Sequence, residues 1–211
     1  MKPTPAELRA LARRDPRLGR VLRTLEPFPG FPLRAHPRQR SHYASLTSAI
    51  VYQQLSGKAA ETIWKRVCAL DGGALFPEPE LFLAHPEERL RGAGLSRGKI
   101  AALRDLCQRI QDRRLALARL ARLSDERVIE ELVEVRGIGR WSAQMFLMFR
   151  LGRLDVLAEG DLGVQEGLRL LDGLAQRPGP KEVLQRARCW SPLASVGCWC
   201  MWRLVDSRRK R

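Results

Sequence analysis

A short glycine-containing turn constrains the fold of this chain more than any other segment. It reads Gly137-Ile138-Gly139, and apolar residues recur at helical spacing on both sides of it. A turn of this kind, followed directly by a helix, leaves backbone N–H groups uncovered, and the helix dipole adds partial positive charge there. Such a site suits a phosphate of a nucleic-acid backbone and needs no side chain that reads the sequence. The segment therefore predicts two helices joined by a phosphate-binding turn.

A single acidic residue follows this turn further along the chain. Asp161 comes directly after Gly160 and precedes another amphipathic stretch. A phosphate-binding turn followed by one placed carboxylate suggests chemistry performed on a nucleic acid. The alternative is that Asp161 caps a helix, a position for which aspartate is among the preferred residues. Both roles can hold at once.

Helical patterns dominate the rest of the sequence. After Ser41, for example, Leu46, Ile50 and Val51 recur at helical spacing, and no segment shows sustained period-two alternation with β-branched residues. Further helix-start signals are found at Thr4, Asp15, Ser96 and Ser124. We therefore predict an all-α protein with two helical lobes around a cleft. The predicted parts are a central lobe with the hairpin at roughly 41–172, a second lobe at 1–40 plus 173–205, and a basic tail at 206–211.

The charge balance narrows the choice of partner. Lysine and arginine outnumber aspartate and glutamate 38 to 23, which gives a formal net charge of +15. Such a balance favours a polyanion, through counterion release and electrostatic steering. The alternative is an arginine-rich proteome in which arginine replaces lysine on ordinary solvated faces, since lysine is scarce here.

The five cysteines indicate a reducing compartment. Their odd number, the lack of a signal peptide and the lack of a membrane-spanning apolar run predict a cytoplasmic protein, associated with the nucleoid if the source is bacterial. Cys189, Cys198 and Cys200 cluster, so metal binding must be considered. Their spacing fits neither structural zinc sites nor iron–sulfur proteins. We interpret them instead as small buried apolar residues.

The hairpin and its extension resemble a known family. Residues 132–146, with Gly137-Ile138-Gly139-Arg140-Trp141-Ser142-Ala143 at their centre, are similar to the helix-hairpin-helix of the DNA glycosylase superfamily (HhH-GPD). The extension through Asp155-Val156 and Gly160-Asp161-Leu162-Gly163-Val164 resembles the alkylbase branch, the 3-methyladenine DNA glycosylase II type.

Two further segments agree with this resemblance, which covers roughly residues 41–205. The stretch Ser48-Ala49-Ile50-Val51-Tyr52-Gln53-Gln54-Leu55-Ser56 resembles the family's early helix and its DNA-wedging turn. The stretch Gly94-Leu95-Ser96-Arg97-Gly98-Lys99 resembles the Gly-Leu-Ser-x-x-Lys element before the hairpin. The resemblance implies a monomeric base excision repair enzyme that hydrolyses the N-glycosidic bond of alkylated bases in duplex DNA.

The resemblance assigns the catalytic role to Asp161, whose carboxylate would stabilise the positive charge that develops on the sugar. Glu159 and Asp155 are weaker candidates, and we expect Asp155 to fix its loop through local hydrogen bonds. In relatives that also cut the strand, a lysine occupies the position that holds Trp141 here. The enzyme should therefore be monofunctional, and the iron–sulfur loop of the endonuclease III branch is lacking.

The resemblance also implies a base pocket and a DNA interface. The pocket residues are Trp141, Met145, Leu162 and Trp202. Both tryptophans could instead belong to the core. Met145 and Leu162 stand where relatives often have aromatic residues, which suggests a wider pocket. The DNA contacts are Gln53, Gln54, Leu55, Arg97, Lys99, Gly137, Gly139 and Ser142.

Some of these DNA contacts have alternatives. Gln54, with Leu55, is the candidate wedge that fills the gap left by a flipped base, although a polar helix terminus explains it nearly as well. Arg97 and Lys99 could instead belong to a solvated basic face. Backbone carbonyls of Val133, Val135 and Gly137 could bind Na+ or K+, as the family resemblance implies.

Two rival functions remain on the sequence alone. One is a non-catalytic helix-hairpin-helix DNA-binding protein, against which Asp161 and the two tryptophans argue. The other is a glycosylase for oxidised or mismatched bases, which Trp141 and the lack of an iron–sulfur loop disfavour.

Overall fold

The protein is helical throughout the part of the chain that the structure describes. The computed structural model describes residues 1–32 and 41–209, and these ranges contain no β-strand. Their α-helices are α1 (Pro5–Arg14), α2 (Pro16–Thr24), α3 (His42–Tyr52), α4 (Gly57–Cys68), α5 (Pro79–Ala84), α6 (Glu87–Gly92), α7 (Arg97–Gln111), α8 (Asp125–Val133), α9 (Arg140–Phe149), α10 (Leu162–Asp172), α11 (Pro180–Ala187) and α12 (Ala194–Arg209). The prediction of an all-α protein is confirmed.

Local side-chain caps determine where many of these helices begin. A side-chain oxygen of the capping residue accepts a hydrogen bond from the first turn, which satisfies a backbone N–H that the helix itself cannot bond. At α1, the Glu7 carboxylate accepts a hydrogen bond from the Thr4 N–H, which completes a capping box. The capping residues are Thr4, Asp15, Ser41, Ser56, Ser96, Ser124 and Asp161.

The chain forms two compact units. The first comprises the described residues of Met1–Arg34 and Leu147–Arg211, and the second comprises those of Ala35–Phe146. The boundary falls inside α9. Residues 147–172 were predicted to belong with the hairpin, whereas in the structure they group with the two ends of the chain.

Close packing of α10 on α12 explains this difference. A Cβ atom added at Gly167 of α10 would lie 2.5 Å from the Cβ of Met201 and 2.6 Å from its Cα, both in α12. The two helices therefore approach at backbone distance, and only glycine fits at that point. The apolar spacing of α10 shows that one of its faces is buried, but not which helix covers that face.

Asp15 links distant segments within the first unit. Its side chain is 2% exposed and lies at the N-terminus of α2. It accepts hydrogen bonds from Trp190 Nε1 at 2.7 Å, from Arg186 Nη1 at 2.8 Å and from the Leu18 N–H at 3.1 Å. Burial by itself raises the pKa of the Asp15 carboxyl, but the hydrogen bonds from Arg186, Trp190 and Leu18 outweigh it, so the pKa lies below its ordinary value.

The core of the second unit contains an aromatic cluster beside α3, α4 and α7. Phe76 packs against Trp64 at 4.9 Å between ring centroids and against Phe82 at 5.5 Å. The Tyr43 hydroxyl donates to the carbonyl of Pro77 at 2.8 Å and lies 3.3 Å from Cys107 Sγ. The buried hydroxyl of Tyr43 is therefore paired, as buried polar groups generally are.

Cys198 and Cys200 are buried core residues, as predicted, whereas the prediction was wrong for Cys189, whose Sγ lies near the surface and donates to the Arg186 carbonyl at 3.7 Å. Cys68, Cys107, Cys198 and Cys200 are buried, Cys189 is half-buried, and all five are free thiols. Burial raises the pKa of Cys107 to about 11 and that of Cys198 to about 12, so these thiols stay protonated at neutral pH.

The predicted basic tail is helical as far as it is described. Helix α12 continues to Arg209, with a hydrogen bond from Ser207 Oγ to the Leu204 carbonyl and an ion pair between Arg203 and Asp206, each at 2.8 Å. The prediction of a tail from 206 onwards was therefore wrong for residues 206–209, because these local contacts extend the helix; residues 210–211 lie outside the described ranges. No helix in the described ranges is long and apolar enough to cross a membrane.

Candidate active site and nucleic-acid interface

Asp161 lies at the N-terminus of α10 in the first unit, where it is half-buried. Its Oδ1 atom accepts two hydrogen bonds of 2.8 Å, one from the Val164 N–H and one from Trp202 Nε1. The capping role considered for this residue is therefore present. The two neutral donors come from different helices, α10 and α12, and they hold the carboxylate in one orientation.

The segment before Asp161 is anchored to the start of α12. Asp155 accepts hydrogen bonds from Ser191 Oγ at 2.7 Å and from the Ala194 N–H at 3.1 Å. The Val156 N–H donates to Ser195 Oγ at 3.0 Å, and Ser195 is fully buried. Asp155 was expected to make local hydrogen bonds, but its partners are far away in sequence, so it fixes the loop to another helix.

Sequence reasoning did not identify Ser195 as part of this anchor. A serine in an apolar helix gives no sign of which backbone group it will bond. Glu159 was a weaker catalytic candidate, and its backbone carbonyl accepts a hydrogen bond from the side chain of Gln165 at 3.0 Å. The loop that delivers Asp161 is thus held at several points by neighbouring helices of the same unit.

Trp202 forms one wall of a cavity within the first unit. Its ring stacks on Phe149 at 5.7 Å between centroids and an interplanar angle of 30°. The cavity has a volume of about 620 Å³, within the range of roughly 300–1,000 Å³ that is typical of small-molecule sites. It is lined by Thr24, Leu25, Glu26, Pro27, Pro29, Phe149, Trp199, Trp202, Arg203, Asp206 and Ser207.

This cavity adds residues that the sequence analysis missed. Phe149 and Trp199 are aromatic, Glu26 and Asp206 are acidic, and residues 24–29 begin with the last residue of α2. Phe28 contacts Trp199 edge to face at 5.3 Å, which packs this segment against α12. The chain has 23 acidic residues, so the sequence does not single out Glu26 and Asp206.

The other predicted pocket residues are distributed over both units. Leu162 follows Asp161 in the first unit and is 65% exposed. Trp141 and Met145 belong to the second unit, one turn apart on α9, and Trp141 is 48% exposed. The core interpretation of Trp141 is therefore excluded. Trp202 is also only half-buried, so it is a cavity wall and not an interior core residue.

The predicted hairpin is present in the second unit as α8, a tight turn and α9. The Ile138 N–H donates to the Val135 carbonyl at 3.0 Å, and the Arg136 N–H donates to Asp105 Oδ2 on α7 at 2.8 Å. Gly137 has a φ of +79°, a left-handed conformation that favours glycine. Gly139 is exposed and a Cβ there would meet no atom within 4 Å. Ser142, in the first turn of α9, is half-buried.

The turn between α3 and α4 lies against this hairpin. Gln54 has a φ of +56°, and Leu55 is 38% exposed. The neighbouring Gln53 donates from Nε2 to the carbonyl of Gly137 at 2.8 Å. Lys99 Nζ donates to the carbonyl of Val51, at the end of α3, at 2.7 Å.

Two predicted DNA contacts therefore have partners inside the protein. Gln53 and Lys99 were expected to face DNA, yet both side chains bind backbone carbonyls of this unit. Arg97 differs from them, since its side chain is 82% exposed and its ion pair with Glu87 is long, at 3.7 Å.

Comparison with known proteins supplies a family context. Residues 47–192 match the family model described as "HhH-GPD superfamily base excision DNA repair protein". The chain is 32% identical to DNA-3-methyladenine glycosylase 1 of Schizosaccharomyces pombe over 166 residues, which cover 78% of this chain and 73% of the relative.

Solved structures agree with this match. The crystal structure of a DNA-3-methyladenine glycosidase from Bacillus halodurans is similar with a TM-score of 0.84 and 35% identity, covering 100% of this chain and 94% of that one. A Schizosaccharomyces pombe 3-methyladenine DNA glycosylase in complex with abasic DNA gives a TM-score of 0.77 and 29% identity, covering 94% of this chain and 95% of that one.

Proposed function

Because this chain belongs to the HhH-GPD superfamily of base excision DNA repair proteins, we propose that it is a monofunctional DNA glycosylase that removes alkylated bases from duplex DNA. The observation that carries the proposal is the Asp161 carboxylate, held by Val164 and by a tryptophan that lines a cavity. The relatives named as 3-methyladenine glycosylases, one of them bound to abasic DNA, support the same substrate class.

The reaction is hydrolysis of the N-glycosidic bond. As the bond between the base and C1′ breaks, its electron pair leaves with the base and positive charge develops on the sugar. The Asp161 carboxylate stabilises that charge and orients a water molecule, whose oxygen bonds to C1′ as one of its protons passes to the carboxylate. The products are a free base and an abasic site. Trp141 occupies the position of the lysine of strand-cutting relatives, so no amine is present there to form a Schiff base.

The cavity in the first unit suits a cationic base. Alkylated purines such as 3-methyladenine and 7-methylguanine carry positive charge, and the faces of Trp202 and Phe149 attract cations. Glu26 and Asp206 add carboxylates to the same lining, and Asp206 pairs there with Arg203 at 2.8 Å. Such bases already have labile glycosidic bonds, so stacking together with one placed carboxylate can suffice.

The hairpin is proposed to bind the phosphate backbone through the amide groups around Gly137 and Gly139, with Ser142 close by. The carbonyls of Val135 and Gly137 each accept one hydrogen bond, from Ile138 and Gln53. A carbonyl oxygen has two lone pairs, so both can make a further contact. With the carbonyl of Val133 they would hold Na+ or K+, which would supply positive charge beside the phosphate.

Release of bases from methylated duplex DNA tests the function. We expect free 3-methyladenine and 7-methylguanine in the supernatant, with alkali-labile abasic sites left in DNA that is otherwise uncut. We expect no borohydride-trapped covalent complex. Binding without release would favour the non-catalytic rival, whereas a trapped complex or release of oxidised bases would favour the other glycosylase class. The proposed partner is duplex DNA bound by a monomer, and the proposed location is the cytoplasm, at the nucleoid in a bacterium.

Gly139→Asp should weaken binding to all duplex DNA by about 10- to 100-fold, because it places a carboxylate where a phosphate is expected. The substitution should not disturb the fold, since a Cβ at this position has open space and no left-handed φ is required there. Gly139→Ala is the matched control and should bind within a factor of about two. Equal affinity of the aspartate variant and the alanine variant at the same salt concentration would disprove the phosphate anchor.

A further inference from the structure

We propose that Gln53 and Lys99 are positioning residues that lock the wedge turn, residues 53–55, onto the hairpin and thereby determine how efficiently a paired base is removed. This inference rests on the proposed function. It assigns to the two side chains a role other than direct contact with DNA.

The wedge turn is poorly stabilised by its own backbone. Helix α3 ends at Tyr52, and the two backbone hydrogen bonds that follow, Gln53 N–H to Ile50 and Leu55 N–H to Tyr52, are both long at 3.4 Å. Gln54 adopts a left-handed φ of +56°, which is uncommon for a residue with a side chain. A conformation of this kind persists only when its surroundings hold it.

Lys99 supplies the first of the two outside contacts. Its Nζ atom donates to the Val51 carbonyl at 2.7 Å, in the last turn of α3. A cation at the C-terminal end of a helix is favourable because the helix dipole places partial negative charge there. The backbone of Lys99 is fixed at the start of α7, since its N–H donates to the capping Ser96 at 3.3 Å.

Gln53 supplies the second contact, and it reaches the hairpin. Its Nε2 atom donates to the Gly137 carbonyl at 2.8 Å. The adjacent Arg136 N–H donates to Asp105 on α7, the helix that also carries Lys99. The contacts therefore form a closed ring from α7 through the end of α3 and the hairpin turn back to α7, all within the second unit.

This ring couples phosphate binding to the wedge. When the hairpin binds a phosphate, the position of Gln54 and Leu55 relative to that phosphate is set by the two side-chain bonds. Filling the gap left by a flipped base requires a wedge that is already in place, since unstacking a paired base costs energy. Loss of either bond should therefore affect a stably paired target more than a mispaired one.

The test uses Gln53→Met and Lys99→Met, which remove the donor and keep an unbranched side chain. Gln185→Met and Lys181→Met, both at exposed positions of α11, are the matched controls. We expect single-turnover release of 7-methylguanine opposite cytosine to fall by about 3- to 10-fold in the two test variants. Release of the same base from a mispair should fall by less than about 2-fold, and the controls should match wild type.

Three further measurements separate positioning from other roles. Thermal melting should be close to wild type, and Lys99→Arg should restore most of the rate because it can still donate to Val51. The salt dependence of DNA binding should be unchanged, whereas loss of a phosphate contact would lower the slope of log K against log salt by about 0.9. A reduced slope with equal losses on paired and mispaired DNA would overturn the proposal, as would rates equal to those of the controls.

Wedge insertion can also be followed without base release. 2-Aminopurine placed opposite an abasic-site analogue should brighten when wild-type protein binds and the wedge disturbs its stacking, and it should brighten less with either test variant at saturation. Brightening without base release by wild type would reject the proposed function and leave the positioning role standing. Equal brightening by wild type and both variants would reject the positioning role alone.

Discussion

Asp161→Asn is expected to lower the single-turnover rate of base release by about 10²- to 10³-fold, the cost typical of losing one placed electrostatic contact to a transition state. Asparagine has nearly the same shape and is also a preferred helix cap. Its side-chain oxygen can still accept from Val164 and Trp202, which both bind Oδ1 of the aspartate. The loss should therefore come from the missing charge and not from a disturbed fold.

Glu159→Gln is the matched comparison for this prediction. It removes a carboxylate two positions away, on the same anchored loop, and should change the rate by less than about 3-fold because that charge is not the one proposed to stabilise the transition state. The rate is measured with a 7-methylguanine-containing duplex and excess protein, and thermal melting checks the fold. Near-wild-type release by Asp161→Asn, or a larger loss in Glu159→Gln, would remove Asp161 from the catalytic role.

Asp15→Asn is expected to lower the free energy of unfolding by about 3–5 kcal/mol at neutral pH, because it breaks a buried ion pair and leaves Arg186 with less compensation. The Asp15 side chain is 2% exposed and bonds Arg186, Trp190 and the start of α2 together. Asp172 still pairs with Arg186 in the variant, at 2.7 Å, which places the expected loss toward the lower end of that range.

The pKa of Asp15 determines how the loss of stability in Asp15→Asn changes with pH. The folded-state pKa of Asp15 lies below its ordinary value, which is about 3.9 in an unfolded chain. The stabilisation from its charged form is therefore complete above the unfolded pKa and is lost as the pH falls through the folded pKa. Denaturant unfolding at pH 7, 5, 4 and 3 should show a full difference between wild type and variant above about pH 5 and a shrinking one below about pH 4.

Asp112→Asn is the control for the loss of an exposed acid. Asp112 pairs with Arg114 on the surface, and such pairs contribute little to stability. If Asp15→Asn changed unfolding no more than this control does, or if its effect did not depend on pH, the buried pair would not contribute as described.

The site was only partly predictable. The hairpin turn and Asp161 could be identified because glycine spacing and one acid after a glycine are local patterns. The contact between Asp161 and Trp202 joins residues that are far apart in sequence, and periodicity contains no distance between such residues. The same holds for the cavity segment at Thr24–Pro29, whose residue types alone do not indicate a wall.

Gln53 and Lys99 show most clearly what could not be predicted from the sequence. Their polar character was recognised, and the family resemblance suggested that they face DNA. Whether a long polar side chain extends to solvent or bends back onto a carbonyl depends on which backbone groups come within reach, and here these are Gly137 and Val51.

The sequence by itself determined the all-α class, the positions of most helix starts and the hairpin, because caps and turns are formed by residues three or four positions apart. The tertiary structure alone decided that α10 packs on α12, that Asp15 pairs with Arg186, and that the wedge turn is bonded to the hairpin. These contacts form where the burial of apolar faces brings distant chain segments together. Such burial is non-directional, so it does not specify which segments will meet.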